Sequence, residues 1–75
     1  MIKKNQELLA NAIENYITNP ETRPDLETLV EELNENSEFK SIELFSNILT
    51  ELREALADLS RKELKQRILI IRSYQ

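Results

Sequence analysis

Seventy-five residues, 40% of them hydrophobic and 32% charged, carry a formal charge of −4 and include no glycine, no cysteine and no histidine. Lacking Cys and His, the chain has no disulfide framework, no thiolate or imidazole metal ligand, and no Ser-His or Cys-His pair for nucleophilic catalysis. Lacking Gly, it has neither a phosphate-cradling loop nor the turn of an EF-hand, so composition points to a small helical protein-binding module and away from an enzyme.

A chain of this length is read as one domain over residues 1–75, whose core is drawn from twelve Leu, eight Ile, one Val, two Phe and two Tyr. Domains this small bury only about 60% of the surface their unfolded chains expose, so stability is marginal and a partner or a second copy would add to it. The longest apolar run, Ile68-Leu69-Ile70-Ile71, is far too short to span a bilayer, and the first residues turn polar where a signal peptide needs its apolar stretch. A cytoplasmic location is the expectation, in keeping with the lack of Cys.

The first predicted helix runs from Ile2 to Ile17, where Ile2, Leu9, Ile13, Tyr16 and Ile17 make one stripe that Leu8 and Ala12 widen. Asn19-Pro20 ends it, since Asn tolerates a left-handed cap and Pro disfavours helix in the residue before it. The second helix opens at Thr22-Arg23-Pro24-Asp25, with Thr22 as cap, and continues to about Asn34 on a seam of Leu26, Leu29, Val30 and Leu33. Asn34-Glu35-Asn36-Ser37 reads as a loop, after which either Ser37 or Ser41 caps the third helix. Ile42, Phe45, Ile48, Leu49, Leu52, Leu56 and Leu59, with Leu44 and Ala55 at the margin, span so broad an arc that this third helix is expected to be the central one. Ser60-Arg61-Lys62-Glu63 matches a capping box, with Leu59 and Leu64 placed as a hydrophobic staple, so a fourth helix starts there.

Leu64, Ile68 and Ile71 form the inner stripe of that last helix, which leaves Leu69 and Ile70 in surplus. Either the helix is covered on two sides, or it offers apolar surface to a second molecule, or the β-branched 67–74 stretch is not helical. The expected fold is all-α: a compact antiparallel bundle of four helices, or of three with a C-terminal extension.

Charge is unevenly divided, because residues 1–59 hold five bases and thirteen acids whereas residues 60–75 hold five bases and one acid. Either the basic end folds back beside the acidic helices or each pole faces its own partner. Glu27, Glu31 and Glu35 form an acidic row at i, i+4 and i+8 on the second helix, with no Lys or Arg expected at ion-pairing spacing inside it. That row is a candidate docking surface for a basic protein or peptide. Glu43, Glu51, Glu54 and Asp58 continue the acidic theme, and Glu31-Glu32 and Glu51/Glu54 are expected to be solvated rather than an acid/base pair. Arg61, Lys65 and Arg72 share one edge of the fourth helix, with Lys62 nearby and Arg67 apart. Beside Leu69 and Ile70 they make the second candidate surface, suited to a protein, an anionic membrane face or phosphate. The acidic body disfavours nucleic acid, yet the spacing of the last two helices keeps a small DNA-binding regulator as the competing class. A homodimer joined through Leu69 and Ile70 is a further alternative. No catalytic, metal-ligating or cofactor-binding residue is nominated.

The run Glu7-Leu8-Leu9 through Ile13 and Tyr16-Ile17, then Asn19-Pro20-Glu21, a Leu-rich acidic helix, and Phe39 ahead of a long helix, resembles the immunity proteins of enterocin A/pediocin-like bacteriocins over roughly residues 5–56. The resemblance implies a cytoplasmic antiparallel four-helix bundle that protects a producer cell by acting at a mannose-type sugar-transport receptor, a membrane transporter. It also implies that the C-terminal half sets specificity, where charge and periodicity independently place the surplus residues.

Overall fold

The structure is a computed structural model that describes residues 2–75. Among these the chain is all-α: α1 (Ile2–Thr18), α2 (Arg23–Asn34), a short α3 (Ser37–Lys40), α4 (Glu43–Ala55) and α5 (Arg61–Ser73), with 3-10 turns at Pro20–Thr22 and Leu56–Asp58. No helix of the described residues is long and apolar enough to cross a membrane.

No described residue has positive φ, so every described helix ends without a left-handed residue, including α1, where the sequence offers Asn19 for that role. Thr18 is the last residue of α1, but Asn19 is extended at φ −140° and caps the next turn by accepting a hydrogen bond from the Glu21 amide at 3.1 Å. Thr22 does not cap α2; its hydroxyl donates to the Asn19 carbonyl at 2.9 Å instead. Neither Ser37 nor Ser41 fills the expected capping role. Asn36 accepts from the Phe39 amide at 3.0 Å and so nucleates α3, which starts at Ser37, the last residue of the expected loop, and is a turn separate from α4. Ser41 donates back to the Glu38 carbonyl at 2.7 Å, and α4 starts from Ile42 with no side-chain cap. The Ser60 box forms as expected: the Glu63 amide donates to Ser60 Oγ at 3.1 Å and the Ser60 amide to Glu63 Oε1 at 2.9 Å.

One buried cluster joins Leu9, Ala10 and Ile13 of α1, Leu26, Val30 and Leu33 of α2, Phe39, the Phe45 to Leu56 stripe, and Leu64, Ile68 and Ile71 of α5. The central place expected of α4 is not what the packing gives: α1 packs on α2, α3 and α5, and α2 on α1, α3 and α4, while α4 packs on α2 and α3. Of its expected apolar arc, Leu56 and Leu59 lie beyond the end of α4, in a 3-10 turn and the connector after it, with Leu56 still buried in the core. Leu8 likewise sits outside the core, 43% exposed.

The C-terminal end of α5 is held by long-range contacts. Gln6, a buried polar side chain, donates from Nε2 to the carbonyls of Ile71 at 2.9 Å and Tyr74 at 3.0 Å, satisfying oxygens that a helix end otherwise leaves open. Phe39 and Phe45 stack at 4.4 Å and 4°, and Tyr74 leans on Phe45 at 4.9 Å and 60°. Residues 67–73 are therefore helical and docked, despite four β-branched or aromatic positions in the 67–74 stretch.

Candidate protein-docking surface

The turn of about 100° per residue sorts α5 into an inward stripe and an outward one. Leu64, Ile68 and Ile71 are buried. Arg61, Lys65 and Leu69 follow one another at i, i+4 and i+8 on the outer side, and with Lys62 and Gln66 they line a shallow hollow. A second hollow, lined by Glu14, Lys65, Ile68, Leu69 and Arg72, continues from it into the groove against α1. Leu69 stands at the junction of the two and is 66% exposed, the most exposed large apolar side chain among the described residues. Ile70, 40% exposed, lies round the helix from Leu69 and lines neither hollow. Of the two surplus apolar residues, only Leu69 belongs to the basic surface. Gln66 escaped the sequence reading, although its i+4 spacing from Lys62 and i−3 spacing from Leu69 place it on that face.

Of the two readings of the charge asymmetry, folding back onto the acidic helices holds for part of the basic end. Arg67 folds back onto α4, donating to both carboxylate oxygens of Glu51 at 2.8 and 2.9 Å. Glu51 is thus a partly buried partner, not the solvated carboxylate expected. Arg72 folds back onto α1, with Asn11 Oδ1 at 2.8 Å and the carboxylates of Glu7 and Glu14 at 3.5 and 3.6 Å. Arg61, Lys62 and Lys65 form no ion pair among the described residues. Arg72 is accordingly a margin of the surface, tied to α1.

The acidic row of α2 is also partly neutralised. Arg23 is the first residue of α2, and its guanidinium reaches Glu27 at 3.1 Å, correcting the expectation that no base stands at pairing distance within that helix. The spacing is i, i+4, which the sequence contains. Arg53 of α4 reaches Glu31 at 3.1 Å across the α2/α4 seam. Glu35 makes no ion pair among the described residues, and the three glutamates are no continuous free anionic row.

Protonation follows this pairing. The bidentate Arg67 guanidinium holds the Glu51 carboxyl below the usual range, burial opposing it only in part, and Glu51 in turn raises Arg67. The hydrogen bonds of Ser60 lower Glu63. Each shift favours the charged form and so moves a group away from neutrality, opposite to what a general acid or base needs. No group of three or more Asp or Glu side chains among the described residues is placed to hold a metal ion. Compared with known proteins, the chain matches no family model, no curated protein and no solved structure.

Proposed function

We propose that this chain is a non-catalytic cytoplasmic binding module that docks another protein through the outer face of α5, in an immunity- or inhibitor-type role. The observation that carries the reading is Leu69, two-thirds exposed amid Arg61, Lys62 and Lys65 on a helix whose inner stripe is fully used by the core. An exposed aliphatic side chain beside a row of cations gives a partner an apolar contact next to a polar rim. The immunity version draws its support from the helical punctuation of the first half of the chain and from the placement of the surface in the C-terminal half. A membrane transporter is its expected partner.

Affinity capture from gently solubilised source cells tests it, with the wild-type chain compared with Leu69→Asp by mass spectrometry. Recovery of one membrane transporter by the wild type and not by Leu69→Asp supports the immunity role. Equal recovery of all proteins by both chains contradicts a docking role for α5. The competing regulator reading predicts instead that duplex DNA is retained and is released by moderate salt.

A further inference from the structure

Five arginines are present, and in an acidic chain each could find a carboxylate. Arg23, Arg53, Arg67 and Arg72 do so within 4 Å, and Arg61 does not. Its position carries a cost besides. Arg61 and Lys62 are the first two residues of α5, where the helix dipole is positive and cations are disfavoured. Lys65 follows one turn later, so three cations and the dipole add to one positive field with Leu69 at its far end. Within the described residues Glu63 is the one acid of that first turn, its Oε1 taken up by the Ser60 amide, and Arg61, Lys62 and Lys65 are left without an ion pair.

From these contacts we infer that the partner segment seated on Arg61, Lys65 and Leu69 is an acidic helix with one aliphatic anchor. This rests on the reading of α5 as the docking surface and adds the chemistry of what docks. Carboxylates spaced one turn apart meet Arg61 and Lys65, which stand about 6 Å apart along the axis, and an aliphatic side chain one turn further meets Leu69. A lipid surface fits less well, because interfacial helices insert a broad apolar face and the apolar stripe of α5 is spent on the core. Duplex DNA fits less well, because the body of the chain repels its backbone. A second copy fits less well too: the exposed faces of α2 and α4 are acidic but present no exposed large aliphatic residue, and Leu8, the exposed aliphatic residue of α1, stands one turn from the cation Lys4.

The test is selection from a displayed library of random helical peptides on the full chain, followed by binding of the winners to Arg61→Glu/Lys65→Glu and to Leu69→Asp. The neutral Arg61→Ala/Lys65→Ala serves if charge reversal perturbs folding. The expected winners carry Asp or Glu at i, i+4 spacing beside a Leu, Ile or Phe, bind roughly tenfold more weakly to each variant, and weaken with salt. Basic or uncharged winners that still lose affinity for the variants would overturn the acidic chemistry and leave α5 as the docking surface. Winners indifferent to both variants would remove the docking surface itself. No winners, with saturable binding of anionic vesicles or a duplex oligonucleotide lost in the variants, would overturn the inference in favour of phosphate.

Discussion

Glu51 and Arg67 sit sixteen residues apart on different helices, and their side chains meet as a bidentate pair that is neither fully buried nor fully solvated. Such a pair couples with about 1 kcal/mol, measurable by a double-mutant cycle. Its pH dependence has a fixed sign. The folded-state pKa of Glu51 lies below its unfolded value, so the stability it adds is fully present above the ordinary glutamate value of about 4.3 and is lost as pH falls through the folded one. Urea unfolding should therefore show wild type more stable than Glu51→Gln at about pH 6, with the difference fading towards pH ~3. Gln6 is the second residue whose role depends on distance in sequence, since its amide serves carbonyls 65 and 68 positions away. Gln6→Leu should cost about 1–3 kcal/mol and speed hydrogen exchange at the end of α5. Neither contact was legible in the sequence, because one joins charged side chains of different helices and the other a side chain to distant backbone carbonyls, and neither leaves a periodicity. The Ser60 capping box was legible because its partners lie three residues apart and its geometry is local.

At the scale of elements, apolar periodicity located four long helices because each buries one stripe in a common core. It failed where an element was too short to show a period. In α3, a single turn buries Phe39 completely by way of the Asn36 cap, and spacing left open whether Ser37 or Ser41 began the next helix, with no sign of two separate ones. Asn36→Ala should destabilise the fold by about 1 kcal/mol in denaturant unfolding. Within α5 the alternation of buried and exposed positions makes a sharper contrast. Ile71→Ala should cost about 2–5 kcal/mol, while Leu69→Ala should leave stability within about 0.5 kcal/mol. Equal losses would mean that Leu69 belongs to the core. The stripe of Leu64, Ile68 and Ile71 was readable from spacing, and so was the place of Leu69 at i+4 from Lys65, but how exposed each surplus residue is was not, since that depends on where the other helices lie around α5.

On the scale of the whole molecule, the basic end folds back only in part. Arg67 and Arg72 pair with the acidic body, whereas Arg61, Lys62 and Lys65 form no ion pair among the described residues, which is what the proposed docking surface draws on. The acidic row of α2, with Glu27 and Glu31 already paired to Arg23 and Arg53, is the weaker of the two candidate surfaces. Because the proposed partner surface consists of a small number of side chains on one helix, it can be probed at single positions. A photo-crosslinking amino acid placed at Leu69, in producing cells, compares directly with one at Asn47, an exposed polar position on α4. The account predicts a discrete protein adduct from position 69 that disappears with Arg61→Glu/Lys65→Glu and has no counterpart at position 47. An adduct from position 47 alone, or one from position 69 that survives the charge reversal, would contradict it.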